Sequence, residues 1–434
     1  MKNIIYILFF WGTLSFMQAQ ERVMISKEEV LTKVRENNNS LKMSQQDVLA
    51  AKGDFNGSNA VILPNISISH TAMATTNPLM AFGSKLNQEI LTQADFDPLL
   101  LNNPSQIEDY ATRIQVQQPL VNLDGIFQRK AAKAKLNAVE LKAYRTMDYM
   151  DLEVEKAYMQ LQLAYKSVTV LEEAKKAALE NKRLADNSFK QGYLQKSDVL
   201  AVAVRLTEVD NQLQYAKSNV NNVSNYLSVL MNDSSYAVLQ PTDSLTLTVS
   251  DIYTEGLPEN RKDLQAMSLS TEAYQQMYRA DKMGFLPTLN AFGTYELHDD
   301  HLFQGHANGY LIGAELKWNI FEGSKRFGKV QKSRAEFEKS KLELHQYKAE
   351  SQVELNRAMR LLQDAKNNLE LTSLALQQSE EALRIRTNRF KQGLEKTTDL
   401  LNTETQFSQK KLEYYTNIFN YNYALAYVKF LTKE

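Results

Sequence analysis

No proline falls between Leu120 and Gln240, or between Thr288 and Glu434. A proline inside a helix removes one hydrogen bond and clashes with the preceding turn, so both stretches are free to run as very long helices. The apolar spacing says that they do. In the second stretch Leu355, Leu362, Leu369, Leu376 and Leu383 recur at every seventh position, with the small companions Ala358, Ala365, Thr372 and Ser379. In the first, Val154, Leu161 and Val168 sit opposite Ala157, Ala164 and Leu171. A sustained heptad of this kind makes helices supercoil against neighbours, and the small seam lets those neighbours approach closely. From Gly125 to Gln191 such a helix reaches ~100 Å at about 1.5 Å per residue. That is a rod.

The rods come in two copies. Phe189-Lys190-Gln191-Gly192 returns as Phe390-Lys391-Gln392-Gly393, and each leads into an Asp-aliphatic-Leu step, Asp198-Val199-Leu200 and Asp399-Leu400-Leu401. The register holds upstream, where Leu141 meets Leu342, Glu153 meets Glu354 and Ala157 meets Ala358. Each copy is entered through a Leu-Pro step, at Leu63-Pro64 and Leu286-Pro287. The expected organisation is a first repeat over 20–235, a linker over 236–260 containing Pro241 and Pro258, and a second repeat over 261–434. Each repeat reads helix, strand, loop, strand, very long helix, Gly turn, long helix. The long helices are expected at about 125–191, 194–231, 323–391 and 394–431.

The strands, expected at about 61–72, 111–121, 288–298 and 309–319, alternate with period two. Leu289, Ala291, Gly293, Tyr295 and Leu297 interleave with Asn290, Phe292, Thr294, Glu296 and His298; Ile312, Ala314, Leu316 and Trp318 interleave with Leu311, Gly313, Glu315 and Lys317. Ile66 and Ile68, then Ile114 and Val116, do the same in the first repeat. One apolar and one polar face over about ten residues suits a barrel strand with lipid outside and water inside. A soluble sheet packed on the rods has the same period. Four strands cannot close a barrel, and open edges are not tolerated in lipid. Copies must therefore share the wall. Two copies make eight strands, whose interior side chains fill; three make twelve, with room for an aqueous lumen lined by Arg113, Gln115, Glu296, Glu315 and Lys317.

Composition narrows the function. Lys2 precedes the apolar block Ile4–Trp11, and smaller residues lead to Met17-Gln18-Ala19-Gln20, the order of a secretory signal cleaved after Ala19. Residues 1–19 are read as that signal. Beyond it no apolar run approaches the roughly 20 residues a membrane helix needs. The chain has no cysteine, which removes thiol catalysis, Cys zinc sites and iron–sulfur clusters. With 50 Lys+Arg against 51 Asp+Glu, no charge excess draws nucleic acid. Neither a Gly-x-Ser-x-Gly elbow nor a His-Glu-x-x-His pair occurs, so no enzyme is expected, and a glycine-rich phosphate loop is absent too. No cofactor or metal is expected; the His298-Asp299-Asp300-His301 cluster, with His306 nearby, reads as a solvated outer loop. The aromatics Tyr414, Tyr415, Phe419, Tyr421, Tyr423, Tyr427 and Phe430 have helical spacing and read as packing at the waist of the rods, while Trp318 at a strand end suits a membrane interface.

Taken together, the duplicated strand–strand–long-helix plan, the paired Leu-Pro entries and the two Gly turns with a following Asp resemble the outer membrane efflux protein family, the TolC-like exit ducts of Gram-negative bacteria. The loop Asn77–Gln88 followed by Asp95-Phe96-Asp97-Pro98 is also similar to members of that family. The resemblance implies an α+β membrane protein: a homotrimer with a twelve-stranded outer membrane barrel shared between subunits, four strands each, continued by a periplasmic helical coiled-coil barrel. It implies a passive exit duct for efflux or type I secretion, docked to a periplasmic adaptor protein and an inner-membrane transporter that supplies the energy. It places the periplasmic gate at Asp198, Phe390, Glu395, Asp399 and Asn402. Of these, Asp399 matches an aspartate that rings the constriction, while Asn402 replaces a second aspartate, Glu395 a basic residue and Phe390 a tyrosine. The adaptor-docking tip is implied at Lys190, Gln191, Gly192, Tyr193, Lys391, Gln392, Gly393 and Leu394. The competing reading is a secreted coiled-coil scaffold or adhesin-like protein without a pore, which accounts for the heptads and leaves the strands without a purpose.

Overall fold

The computed structural model describes residues 22–248 and 256–434; the expected signal segment and part of the expected linker lie outside them. The order is β1 (Arg22–Ile25), α1 (Lys27–Asn37), α2 (Asn39–Gly57), β2 (Asn65–Thr75), α3 (Pro78–Asn87), α4 (Pro98–Asn102), β3 (Ile107–Val121), α5 (Leu123–Lys190) and α6 (Lys196–Met231). It continues with β4 (Val238–Pro241), α7 (Lys262–Met283), β5 (Thr288–Asp299), β6 (Ala307–Lys317), α8 (Lys325–Lys391) and α9 (Thr397–Leu431). The fold class is α+β, as the two sequence periods require.

The compact units cut across the repeats. One comprises the described residues up to 43 with 145–258 and 351–434, the other 44–144 with 259–350. Each draws elements from both repeats: in the second unit β3 pairs with β5, and in the first α5 and α6 pack against α9.

The second unit is built on a four-stranded antiparallel sheet ordered β2-β3-β5-β6. Its register aligns Ile66, Val116, Gly293 and Ile312 across the strands, and next to them Ile68, Ile114, Tyr295 and Tyr310. Side chains alternate between faces along a strand, so these share one apolar face. Ile66, Ile68, Tyr310 and Ile312 are each more than 60% exposed, a degree of apolar exposure that water does not favour. The opposite face carries Ser67, Ser69, Arg113, Gln115, Gln117, Thr294, Glu296, Glu315 and Lys317, with Phe292 and Leu311 among them. Phe292 lies across Gly313, where an added Cβ would come within 2.7 Å of the ring. A side chain there would have to push the Phe292 ring aside. β2 and β6 are the edges, and neither pairs on its outer side among the described residues.

Residues 76–106, expected as a plain loop between strands, contain α3 and α4. Both start where the local chemistry favours it. The Asn77 side chain accepts from the Met80 N–H with Pro78 in the first turn, and Asp97 accepts from Leu99 N–H with Pro98 in the same place. The structure also differs at the start of the chain and in the expected linker: β1 and β4 pair in parallel, Arg22 to Val238 through Ile25 to Pro241. Runs of four residues are too short for periodicity to reveal.

The first unit holds the heptad cores. Val154, Ala157, Tyr158 and Leu161 of α5 are buried with Val30 and Val34 of α1, Leu227 of α6 and Leu239 of β4. The small seam is buried throughout: Ala157, Ala164, Ala178 and Ala185 in α5, and Ser351, Ala358, Ala365, Thr372 and Ser379 in α8. Small side chains let backbones close to the short end of the roughly 8–10 Å interaxial range. Tyr158 donates its hydroxyl to Asp243, and burial beside that carboxylate pushes the phenol up to about 12. The C-terminal aromatics are packing residues. Tyr414, Tyr415, Phe419, Tyr421 and Tyr423 lie against Met159, Leu369 and Ile418, and Phe419, Tyr423, Tyr427 and Phe430 stack in succession at 6.1–6.3 Å.

Leu161→Ala is expected to lower unfolding free energy by about 2–5 kcal/mol through lost burial and an unfilled cavity. Ala358→Leu is expected to cost about 1–3 kcal/mol by forcing the tight seam apart. Chemical denaturation in detergent reads both.

Candidate functional site: the helix turns and the polar sheet face

The two Gly turns of the first unit are built alike. Gly192 has φ +79° and Gly393 φ +74°, the left-handed region that glycine enters freely. Tyr193 N–H donates to Ser188 C=O at 2.9 Å and Gly192 N–H to Phe189 C=O at 2.9 Å. Leu394 N–H donates to Arg389 C=O at 3.0 Å and Gly393 N–H to Phe390 C=O at 2.9 Å. Both are Schellman closures, which satisfy the last carbonyls of a helix. Tyr193 and Leu394 project from these turns and are exposed, as are Lys190, Gln191, Lys391 and Gln392.

The two aspartates that follow behave differently. Asp198 accepts the Gln195 N–H at 3.2 Å and so caps α6. Asp399 lies 3.7 Å from Arg386. Glu395 accepts from Arg386 Nη1 at 2.9 Å and from Arg389 Nε at 3.0 Å, which folds the α8–α9 turn onto the end of α8. Sequence reasoning named Glu395 and Asp399 but missed Arg386 and Arg389. Cations in the last turn of a helix are favoured by its dipole, and that was the available signal. Phe390 is half-buried and Asn402 exposed, and neither joins this cluster. Below the turns, Ala185, Val202 and Leu401 pack together, joining α5, α6 and α9. Nearby, Glu404 of α9 accepts from Asn181 of α5 and faces Arg205 of α6; its burial raises the carboxyl above the ordinary range.

In the second unit, the expected lumen residues Arg113, Gln115, Glu296, Glu315 and Lys317 share the polar face. Arg113 Nε meets Glu296 Oε1 at 2.6 Å. A polar chain continues from there: Glu296 lies 3.4 Å from His298, and His298 Nδ1 3.1 Å from Asp109. His298 and Asp299 are thus buried strand residues rather than parts of an open loop. The Asp299 carboxylate accepts the N–H groups of His301 and His306, at 3.0 and 2.9 Å, as a turn cap. Trp318, one residue beyond β6, is exposed and donates to Phe285 C=O at 3.0 Å.

Residues 256–427 match the family model for outer membrane efflux protein. That match covers less than half of the chain and lies wholly in its second half. The whole described fold agrees with it. A membrane protein from Pseudomonas aeruginosa superposes with a TM-score of 0.81 at 15% identity, over 94% of this chain and 93% of that one. VceC from Vibrio cholerae gives 0.79 at 17%, over 94% and 96%, and the CmeC outer membrane channel of Campylobacter jejuni 0.77 at 16%, over 99% and 93%. No curated protein sequence matches. The fold of the described residues is that of these solved membrane proteins.

Because Glu404 is held above its ordinary 4.5, its protonated form is favoured in the folded chain. The stability this contributes is full below about 4.5 and is lost as pH rises through the raised folded value. Glu404→Gln is expected to be more stable than the parent at neutral pH and to flatten the stability profile above pH 4.5. Thermal unfolding across a pH series reads the difference.

Proposed function

We propose that three copies of this chain form a passive outer membrane duct, docked at its helix turns to a periplasmic adaptor protein and through it to an inner-membrane transporter. The observation that carries the reading is the sheet: an apolar face open across four strands, backed by a polar face, with two unpaired edges. Hydrocarbon suits the first face and water the second. The edges need partners wherever the solvent is lipid, because an unsatisfied backbone group there costs several kcal/mol. Copies related by a cyclic axis supply them: β6 of one copy pairs with β2 of the next, and the ring closes. Three copies are the smallest number that leaves an aqueous bore.

On this reading Arg113, Gln115, Glu296, Glu315 and Lys317 line the barrel interior. The turns Lys190–Tyr193 and Lys391–Leu394 form the periplasmic tip that the adaptor grips. Asp198, Phe390, Glu395, Asp399 and Asn402 surround its constriction, with Asp399 the group that faces the axis and Asp198 mainly a helix cap. Cargo leaves by diffusion, driven by the transporter upstream. A pore-less scaffold leaves the exposed isoleucines and tyrosines of the sheet without a solvent that suits them.

In detergent the purified chain is expected to sediment as a trimer and, in planar bilayers, to give discrete conductance steps. Asp399→Ala is expected to raise the conductance and weaken cation preference. A stable monomer that conducts nothing overturns the duct; steps that Asp399→Ala leaves unchanged remove that residue from the gate.

A further inference from the structure

The helix α3 sits on the polar face of the sheet, at the end where the β2–β3 and β5–β6 connections leave it. Its buried residues Ala81, Ser84 and Gln88 form one stripe. Gln88 Nε2 reaches Asp109 Oδ1 at 3.0 Å and Glu108 C=O at 2.8 Å, tying the helix to the polar chain Asp109–His298–Glu296–Arg113. Two further contacts brace it: Lys85 pairs with Asp95 at 2.6 Å, and Phe82 meets Phe96 edge-on at 5.7 Å. The excursion is a built element rather than a loose loop.

On the far side of α3 stand Leu79 and Leu86, exposed by 81% and 56%. At about 100° per residue they point some 180° away from the stripe seated on the sheet. Resting on the duct reading above, that direction is toward the axis of the barrel, where the other copies of the same helix can meet them. We infer that the three α3 helices converge through Leu79 and Leu86 and close the outer mouth of the duct. Dimensions agree. Twelve strands about 4.8 Å apart and tilted about 40° enclose a ring roughly 24 Å across, and a helix with its side chains is about 10 Å thick. Three on the inner wall reach the centre. Two leucines per copy left in water at that point oppose the hydrophobic effect, whereas mutual contact buries them.

The cysteine-free chain makes the test direct. Full-length single variants Leu79→Cys, Leu86→Cys and Ala81→Cys are purified in detergent and oxidised with copper–phenanthroline. Convergence predicts that Leu79→Cys or Leu86→Cys places more than half of its chains in disulfide-linked dimers, two of every three copies, while Ala81→Cys, facing the sheet, stays below one tenth. A trimer in which neither leucine position crosslinks, or in which Ala81→Cys crosslinks as readily, overturns the closed mouth and leaves the duct standing. A chain that sediments as a monomer overturns both.

Discussion

A backbone N–H or C=O that faces hydrocarbon without a partner costs several kcal/mol, and among the described residues this sheet has two unpaired edges. Much of the chain's design follows from that cost. Strands β2 and β6, far apart in sequence, are edges because β3 and β5 are zipped together in the middle. That central pairing joins the two sequence repeats, so neither repeat is a folding unit by itself. On the duct reading these four strands are one third of a barrel, and cyclic symmetry completes it.

The helical part obeys a second constraint, close approach. In the first unit both rods present a buried seam of small side chains, Ala157 to Ala185 and Ser351 to Ser379. Dispersion falls steeply with separation, so a small seam gains contact by proximity where a leucine seam gains it by volume. Long helices gain from this because the same modest contact repeats at each heptad. The aromatic ladder from Phe419 to Phe430 is the bulky exception, packed where α9 meets a core containing Met159, Leu245 and Leu369.

What the residues disclosed before any coordinates follows the range of the signal. Proline-free heptads and two-residue alternation act over tens of residues, and they announced the long helices, the strand faces and the α+β class. The Gly turns were legible because their positive φ demands glycine. Short or non-local features were not. β1 and β4 are four residues each and pair across two hundred positions, and α3 was hidden in what reads as a loop despite the capping signals Asn77-Pro78 and Asp97-Pro98. Arg386 and Arg389 escaped notice because their partner Glu395 lies across the turn, and Asn181, Arg205 and Glu404 because they come from three different helices.

The arginines change what a gate at this turn would have to do. A ring of aspartates attracts cations only if its charge is uncompensated. Here Arg386 and Arg389 set two positive charges against Glu395 and Asp399, with Arg386 shared between both carboxylates. These four charges balance, while Lys391 and Lys396 leave the turn as a whole net positive, and Glu395, the less exposed of the two acids, holds the better-made pairs. Asp399 at 3.7 Å is the looser partner. Any movement that straightens the α8–α9 turn breaks the Glu395 contacts, which bridge its two sides, and leaves the arginines free to swing. The resemblance implies a basic residue at position 395; here that position is an acid, and it pairs with two arginines of the helix before it.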